Sequence, residues 1–280
     1  MLEVTYKKIK NLQIQGAANI STAGIKALEE EIRKGVSLTE LERSKRKLIS
    51  ARATEPELEN YLEYIVNYYK KNGKENSLKE IKKLLKEKKE IKEKIGRYGS
   101  RILHNGDIVF THCHSSNVIS VLKEAKKKKI KVWNTETRPR LQGRVTAKEL
   151  ARMRIPVTHV VDSASRIALK ECDIMLIGAD AITHNRVYNK VGSELMVLTA
   201  KEYRVPVYVC ASLWKFNQHR ETIEERNISE VWKRPPKGVK VKNFAFEKVN
   251  FKLIKGIICE EGVLKPKKFV KRARKLLNVL

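Results

Sequence analysis

FTHCHSSN, residues 110–117, is the stretch that decides the fold. The run 107–110 before it predicts a buried strand, and the pattern of 118–125 after it predicts a helix. Cys113 therefore lies where a thiol meets the positive end of a helix dipole and unpaired backbone N–H groups. Such a setting lowers a cysteine pKa and also binds phosphate. A buried, inert cysteine beside a polar turn fits the same pattern, so the stretch alone leaves both interpretations open.

Strand and helix patterns alternate from Gly99 onward. Strands are predicted at 107–110, 130–134, 157–161, 174–177, 205–210 and 256–259, with helices near 116–126, 147–153, 164–170, 193–203 and 267–277. This alternation is typical of a mostly parallel sheet covered on both faces. Residues 233–252, which contain two adjacent prolines, carry no regular pattern and are predicted to be irregular.

The first part of the chain has a different pattern. It shows helical periodicity and no strand pattern, and a turn with a proline interrupts it at 50–56. Ser77 with Glu80, and later Thr146 with Glu149, fit capping boxes at helix starts. We therefore predict an α/β protein with two domains, a helical one at 1–97 and one with the parallel sheet at 98–280.

Composition limits the class of protein. The 280 residues are 41% hydrophobic, contain no apolar run long enough for a membrane helix and begin without a signal-peptide core. The four cysteines are far apart and form no CxxC pair, so neither a zinc knuckle nor a disulfide framework is predicted. We expect a cytoplasmic protein without membrane contact.

Charge is the unusual feature, with 60 basic and 32 acidic residues giving a net charge of +28. Such an excess attracts nucleic acid or phosphorylated ligands. Much of it lies in two lysine-rich runs at 82–89 and 126–129, whose helical spacing is typical of a solvated surface. Aromatic residues are few and lie apart from these runs, so a nucleic-acid partner is possible but not favoured.

Polar side chains follow five of the predicted strands. They are found at 111–114, 135–138, 162–163, 178–180, and at Ser212 and Lys215. Because the carboxyl ends of parallel strands share one edge of the sheet, these side chains are expected to form a small-molecule site there.

Chemistry suggests a role for several of these residues. Cys113 is a candidate nucleophile or general base, and Asp180 a candidate acid with a raised pKa, although an aspartate here also suits a turn cap. The hydroxyls and backbone donors of residues 115–117 suit an anion. Candidate phosphate ligands, each of which could instead be an ordinary surface cation, are Arg52, Arg138, Lys190 and Lys215.

The two histidines beside Cys113 raise the question of a metal. No carboxylate lies near His112 or His114 in sequence, and a continuing strand would direct both to the face opposite Cys113. We therefore predict no metal site.

Four ordered motifs carry a resemblance to a known family. They are Asn134-Thr135-Glu136-Thr137-Arg138-Pro139, Gln142-Gly143 with 144–150 (RVTAKEL), Gly178-Ala179-Asp180-Ala181-Ile182, and Asn189-Lys190-Val191-Gly192. Together they resemble the ETRP…QG…TAxEL, GAD-x-I and NK-x-G motifs of the translation initiation factor 2B α/β/δ-like superfamily, across about residues 10–266. Within it the chain is most similar to the archaeal ribose-1,5-bisphosphate isomerases.

The resemblance implies a fold and an activity. The implied second domain is Rossmann-like and carries both catalysis and oligomerisation, as a dimer or a trimer of dimers. The implied reaction converts ribose-1,5-bisphosphate to ribulose-1,5-bisphosphate, with Cys113 and Asp180 as the catalytic pair and no metal or redox cofactor. AMP is a possible allosteric activator in this family.

The resemblance also implies which residues contact the sugar phosphate. The matching positions are Arg52, Ser115, Ser116, Asn117, Asn189, Lys190, Lys215 and the turn Gly16, Ala17, Ala18, Asn19. In that turn the isomerases usually carry Arg-Gly-Ala-Gly, whereas this chain has Gln15 before Gly16, so the backbone donors remain and the cation is missing.

Two alternatives stay open within the superfamily. One is a regulatory α-like subunit of initiation factor 2B that binds initiation factor 2, which the basic surface favours and the intact Cys/Asp pair disfavours. The other, weaker one is a 5-methylthioribose-1-phosphate isomerase, whose substrate has no 5-phosphate.

Overall fold

The computed structural model describes residues 1–218 and 224–279. Its α-helices are α1 (Leu2–Lys10), α2 (Ala17–Lys34), α3 (Leu38–Ser50), α4 (Pro56–Arg101), α5 (Ser116–Glu124), α6 (Gly143–Arg152), α7 (Ser165–Lys170), α8 (Ser193–Glu202) and α9 (Pro266–Val279). Its strands are β1 (Ile108–Thr111), β2 (Lys131–Thr135), β3 (Val157–Val160), β4 (Ile174–Ile177), β5 (Ala181–Ile182), β6 (Arg186–Lys190), β7 (Val207–Cys210), β8 (Phe246–Asn250), β9 (Gly256–Cys259) and β10 (Gly262–Leu264). None of the helices formed by these residues combines the length and hydropathy that crossing a bilayer requires.

The main sheet has seven strands in the order β10-β9-β7-β4-β1-β2-β3. Every neighbouring pair is parallel except β9 with β10, so the predicted mixed α/β class with a mostly parallel sheet is confirmed. From β1 the chain builds outward through β2 and β3 on one side and through β4, β7 and β9 on the other. The direction of winding therefore reverses between β1 and β4, where a crevice opens at the carboxyl edge.

A second, antiparallel sheet of three strands, β5-β6-β8, follows β4. The sequence patterns did not predict it. The prediction that 233–252 is irregular is wrong at its end, since β8 covers Phe246–Asn250 and pairs with the whole length of β6. This pairing buries Asn189 and Lys190 of β6. Because both residues are polar, the sequence of β6 lacks the apolar pattern that predicts a buried strand.

Helices fill the chain up to Arg101, and α4 is much longer than predicted. It begins at Pro56, after the predicted turn, and continues past the proposed domain boundary at residue 97. The predicted helix start at Ser77 is wrong: Gly73 interrupts the helix with a φ of 72°, and the Ser77 hydroxyl donates to the Gly73 carbonyl. Glu80 accepts a hydrogen bond from the Tyr64 hydroxyl instead of closing a capping box.

The helices and the sheet share packing at two places. Trp214, just beyond β7, stacks on Tyr61 of α4 with ring centroids 3.9 Å apart. On the other side α4 packs along α5, where a Cβ on Gly99 would lie 2.3 Å from Cγ2 of Val121. Gly99 therefore allows the two helix backbones to approach, which fixes α5 and the turn that precedes it against the long helix.

Replacing Gly99 with alanine tests this contact. Alanine normally stabilises a helix interior by about 1 kcal/mol over glycine. Here the β-branched Val121 cannot move aside easily, so we expect Gly99→Ala to lower the free energy of unfolding by about 1–3 kcal/mol in urea titrations.

Lys94→Ala, an exposed site on the same helix, is the matched control and is expected to stay within about 0.5 kcal/mol. The double variant Gly99→Ala, Val121→Ala should lose less than the sum of its single variants. A Gly99→Ala protein more stable than the parent would contradict the close approach.

Candidate active site

A cavity of about 410 Å³ opens at the carboxyl edge, at the reversal point between β1 and β4. Its wall includes all but two of the predicted site residues: Gly16, Ala17, Ala18, Asn19, Arg52, Cys113, Ser115, Ser116, Asp180, Asn189, Lys190 and Lys215. The remaining wall residues are Gln15, His114, Arg140, Gln142, Val145, Glu149, Gly178, Ala179, Arg226 and Phe246.

Asn117 and Arg138 lie outside this wall. The Asn117 side chain donates to the Cys210 carbonyl at 3.3 Å and borders a smaller neighbouring pocket. Arg138 is exposed, and its guanidinium donates to the Val231 carbonyl at 3.4 Å. Arg140, two residues later, lines the cavity in its place.

Cys113 follows β1 directly and has a positive φ of 67°. Its N–H donates to the Thr137 hydroxyl, and its carbonyl accepts from the Thr146 hydroxyl, so the loop after β2 and the helix α6 that follows it hold the residue in position. Thr146 lies inside α6 and makes this bond in place of the predicted capping box. Cys113 lines the cavity.

The pKa of the Cys113 thiol differs from the one that the sequence predicts. Loss of hydration raises the pKa of Cys113 to about 11, and the charge of Asp180 adds to that rise. The nearby ammonium of Lys190 acts in the opposite direction. The predicted lowering of the thiol pKa is therefore wrong, because desolvation of the thiolate outweighs the favourable charges.

Asp180 follows β4, across the reversal point from Cys113. Its N–H donates to the Tyr188 carbonyl of β6, so the small sheet fixes its backbone. Its charge acts on the Cys113 thiol, on Arg52 and on Lys190. The carboxylate and the thiol thus face one cavity, close enough to influence each other.

The loops that carry these two residues touch at Gly178. A Cβ on Gly178 would lie 2.7 Å from both Cβ and Oγ of Ser115. Ser115 caps α5, with its hydroxyl accepting from the Val118 N–H. Only a glycine therefore lets the loop after β4 reach the turn that opens α5, whose first N–H groups are suited to bind an anion.

Three cations surround a single aromatic ring in the wall. Lys190 Nζ, Arg226 Cζ and Arg52 Cζ lie 4.9, 5.4 and 5.6 Å from the centroid of the Phe246 ring. Burial lowers the pKa of Lys190, with the charges of Arg226 and Arg52 adding to the effect. Lys215 is a fourth buried cation, and its ammonium donates to the Ala179 carbonyl at 2.6 Å.

Three carboxylates, of which Glu55 and Glu57 are buried and Glu224 is half-buried, offset part of this charge. Glu224 Oε1 accepts from Arg226 Nε at 2.6 Å, and its Oε2 lies 3.5 Å from Arg52 Nε. Glu55 is 3.5 Å from Arg52, and its burial raises the pKa of its carboxyl to about 8. Glu57 pairs with Lys88 and lies 4.0 Å from Lys215.

Sequence patterns missed Arg226, Glu224 and Phe246. Arg226 and Glu224 lie in a segment without regular secondary structure, and β8, which carries Phe246, was not predicted. The pair Glu224 and Arg226 has no spacing that distinguishes it from other surface charges in this chain. The pairing of β8 with β6 brings Phe246 to the cavity, and backbone hydrogen bonds to residues 243 and 245 bring Glu224 and Arg226 with it.

The two histidines form hydrogen bonds with residues that follow or end neighbouring strands and with one in α6. His112 Nε2 donates to the Val191 carbonyl at 3.0 Å, its Nδ1 accepts from the Thr135 hydroxyl at 2.6 Å, and burial lowers its pKa to about 4. His114 borders the cavity and bonds the Thr146 hydroxyl through Nδ1. Within residues 1–218 and 224–279 no three His, Cys, Asp or Glu side chains group as a metal would require.

Comparison with known proteins identifies the family. The Initiation factor 2 subunit family matches residues 13–266. The chain is 40% identical to the ribose 1,5-bisphosphate isomerase of Methanocaldococcus jannaschii, over 95% of this chain and 92% of that protein. It is 39% identical to the protein of the same name in Pyrococcus furiosus, over 93% and 89%.

A solved structure supports the fold. The translation initiation factor eIF-2B of Pyrococcus horikoshii superposes with a TM-score of 0.84, at 24% identity, over 95% of this chain and 98% of that one. With a family match over most of its length and relatives near 40% identity, the chain belongs to the Initiation factor 2 subunit family.

Proposed function

We propose that this protein is an aldose–ketose isomerase that converts ribose-1,5-bisphosphate to ribulose-1,5-bisphosphate. The observation that carries the proposal is a thiol and a carboxylate, Cys113 and Asp180, in one cavity with four buried cations. Two archaeal relatives at 40% and 39% identity are named ribose 1,5-bisphosphate isomerase, which supports it.

The two side chains suffice for the proton transfers. Asp180 in its protonated form gives a proton to the ring oxygen as the bond from that oxygen to C1 breaks. Cys113 as thiolate takes the proton from C2, which leaves an enol between C1 and C2. A proton then adds to C1 and the C2 hydroxyl loses its proton, so C2 becomes the ketone and the phosphate stays on C1. This route needs no metal or redox cofactor.

The cations suit a substrate with two phosphates. Two phosphates carry close to four negative charges at neutral pH, which Arg52, Lys190, Lys215 and Arg226 can match. The first turns of α2 and α5, at Gly16–Asn19 and Ser115–Ser116, add backbone donors on the cavity wall. This surplus of positive charge favours a bisphosphate over 5-methylthioribose-1-phosphate, which has one phosphate.

Assembly is part of the proposal. Ile167 on α7 and Leu195 and Leu198 on α8 expose apolar side chains on helices that pack against each other. An apolar face of this kind fits a contact between two copies of the chain, and we propose a homo-oligomer with this face in its interface. Activation by AMP and contact with initiation factor 2 stay predictions, which the assay with AMP and a pull-down with initiation factor 2 test.

Replacing the catalytic pair tests the reaction directly. Purified protein is mixed with α-D-ribose-1,5-bisphosphate, with and without AMP, and ribulose-1,5-bisphosphate is assayed. We expect Cys113→Ser and Asp180→Asn each to lower kcat by about 10²–10⁴-fold, because each removes one proton-transfer group.

Cys259→Ser is the control, since Cys259 is buried in β9 away from the cavity, and its activity should stay near that of the parent. An inactive parent protein, or full turnover by Cys113→Ser, would contradict the proposed function.

The pH dependence of Cys113 tests the electrostatics of the base. A thiol with a pKa of about 11 is protonated at neutral pH, so its thiolate fraction should rise about tenfold for each pH unit between 7 and 9. The rate of iodoacetamide alkylation, followed by mass spectrometry of the Cys113 peptide, should rise in proportion.

Lys190→Met removes the cation that lowers this pKa and should slow alkylation at every pH in that range. The other three cysteines of the chain are buried and serve as internal references. A rate that is already constant below pH 8 would contradict the raised pKa.

A further inference from the structure

The C-terminal helix α9 carries an unusual distribution of charge. Its buried side chains from 266 to 275 are Pro266, Phe269, Val270 and Ala273. Every exposed side chain in that range is Lys or Arg: Lys267, Lys268, Lys271, Arg272, Arg274 and Lys275. We call these six residues the basic face of α9.

Most of this charge has no partner in the protein. Arg272 pairs with Glu261, and Arg274 donates to His184. In the part of the chain that the structure describes, no carboxylate lies within 4.0 Å of the ammonium groups of the four lysines of this face. Four uncompensated cations therefore point to solvent within about 12 Å of helix.

Folding does not favour this arrangement. Lys267 and Lys268 stand in the first turn of α9, where the helix dipole opposes positive charge. Lys271 has basic neighbours three and four residues away in both directions, and like charges at these spacings repel. The helix is thus less stable than a mixed-charge helix would be, which points to a role for the charge outside folding.

The lysine-rich part of α4 differs in this respect. Its lysines alternate with glutamates, and Lys83 and Lys86 pair with Glu80, Glu87 and Glu90 at 3.7–4.0 Å. That surface is the solvated, charge-balanced face that its sequence predicts. The net positive charge of the protein is therefore not spread evenly, and α9 carries a block of it without acidic residues.

From this charge pattern we propose that the basic face of α9 binds the phosphodiester backbone of a double-stranded nucleic acid. The 12 Å between Lys267 and Lys275 correspond to about three successive phosphates of one strand, at about 3.4 Å of duplex axis for each. Lysine ammonium groups neutralise such phosphates without reading sequence.

Other polyanionic surfaces fit less well. A membrane-bound helix inserts an apolar face into lipid, but the apolar side chains of α9, Phe269 among them, are buried in the protein. A protein interface needs apolar or aromatic anchors, and the exposed side chains from 267 to 275 include none. A single strand would need aromatic residues for base stacking, which this face also lacks.

The test measures binding of a short fluorescein-labelled RNA duplex, and of a DNA duplex of the same sequence, by fluorescence anisotropy over a series of KCl concentrations. The full chain should bind both, with log K falling linearly with log salt. In the variant Lys267→Gln, Lys268→Gln, Lys271→Gln, Lys275→Gln we expect affinity at low salt to fall more than about tenfold, and the slope to decrease by about 3, at about 0.9 for each lost phosphate contact.

The control variant removes the same charge from α4, as Lys79→Gln, Lys82→Gln, Lys86→Gln, Lys94→Gln, all at exposed positions. At about 0.1 M KCl it should keep its affinity within about twofold, because charges more than about 10 Å from the duplex are then largely screened. Thermal unfolding should show that the α9 variant is folded, and its isomerase assay is a separate readout, since these lysines lie outside the cavity wall.

Three results would overturn the proposal. The first is an absence of duplex binding by the parent protein at low salt, and the second is an equal loss of duplex affinity in the α9 and α4 variants. The third concerns vesicles that contain phosphatidylserine, offered to the same proteins in place of the duplexes: the α9 variant loses affinity for the vesicles but not for the duplexes. The last result would assign the face to an anionic membrane surface.

Discussion

The contact between Gly178 and Ser115 is the constraint on which the candidate site depends. It lies where the winding of the parallel sheet reverses, between β1 and β4. A side chain at residue 178 would separate the loop that carries Asp180 from the turn that carries Cys113. Two reactive groups from distant parts of the sequence meet in one cavity because residue 178 has no Cβ at this contact.

The charge in the cavity has a cost that a ligand can relieve. Arg52, Lys190 and Lys215 are buried, and a buried charge without good partners costs several kcal/mol. Glu224 and Glu55 offset part of this charge at 3.5 Å from Arg52, a distance too long for a strong hydrogen bond. Phosphate oxygens would be better partners than these carboxylates. Enclosure also removes water from the Cys113 thiol, which raises its pKa. The high pKa of the proposed base and the suitability of the cavity for phosphorylated ligands therefore have one cause, the burial of these groups.

The main sheet could be predicted from the sequence because buried parallel strands form uninterrupted apolar runs. The predicted strand at 174–177 and the strand at 256–259 agree with β4 and β9 at both ends. The antiparallel strands could not be predicted in this way. β5 has two residues, and β6 ends in Asn189 and Lys190, polar residues that are buried by the pairing with β8 and line the cavity.

Much of the cavity wall could also be predicted. The residues after β1, β4 and β7 lie at strand ends that the pattern had located, whereas Gly16–Asn19, Arg52, Asn189 and Lys190 were expected from the family resemblance. Arg226 and Glu224 could not, because only tertiary packing brings that segment to the site. The predicted thiol pKa was wrong for a related reason. The helix N-terminus is visible in the sequence, but the enclosure that outweighs it is a property of the folded protein.

The most direct measurement of the proposed catalytic geometry is a crystal structure of the Cys113→Ser protein with ribose-1,5-bisphosphate bound. We expect the hydroxyl introduced at position 113 to lie about 3–3.5 Å from C2, and the Asp180 carboxyl to lie within hydrogen-bond reach of the ring oxygen. Both phosphates should lie against the buried cations and the first turns of α2 and α5. A sugar bound in this cavity with C2 turned away from residue 113, or with Asp180 out of reach of the ring oxygen, would contradict the proposed roles of the two residues.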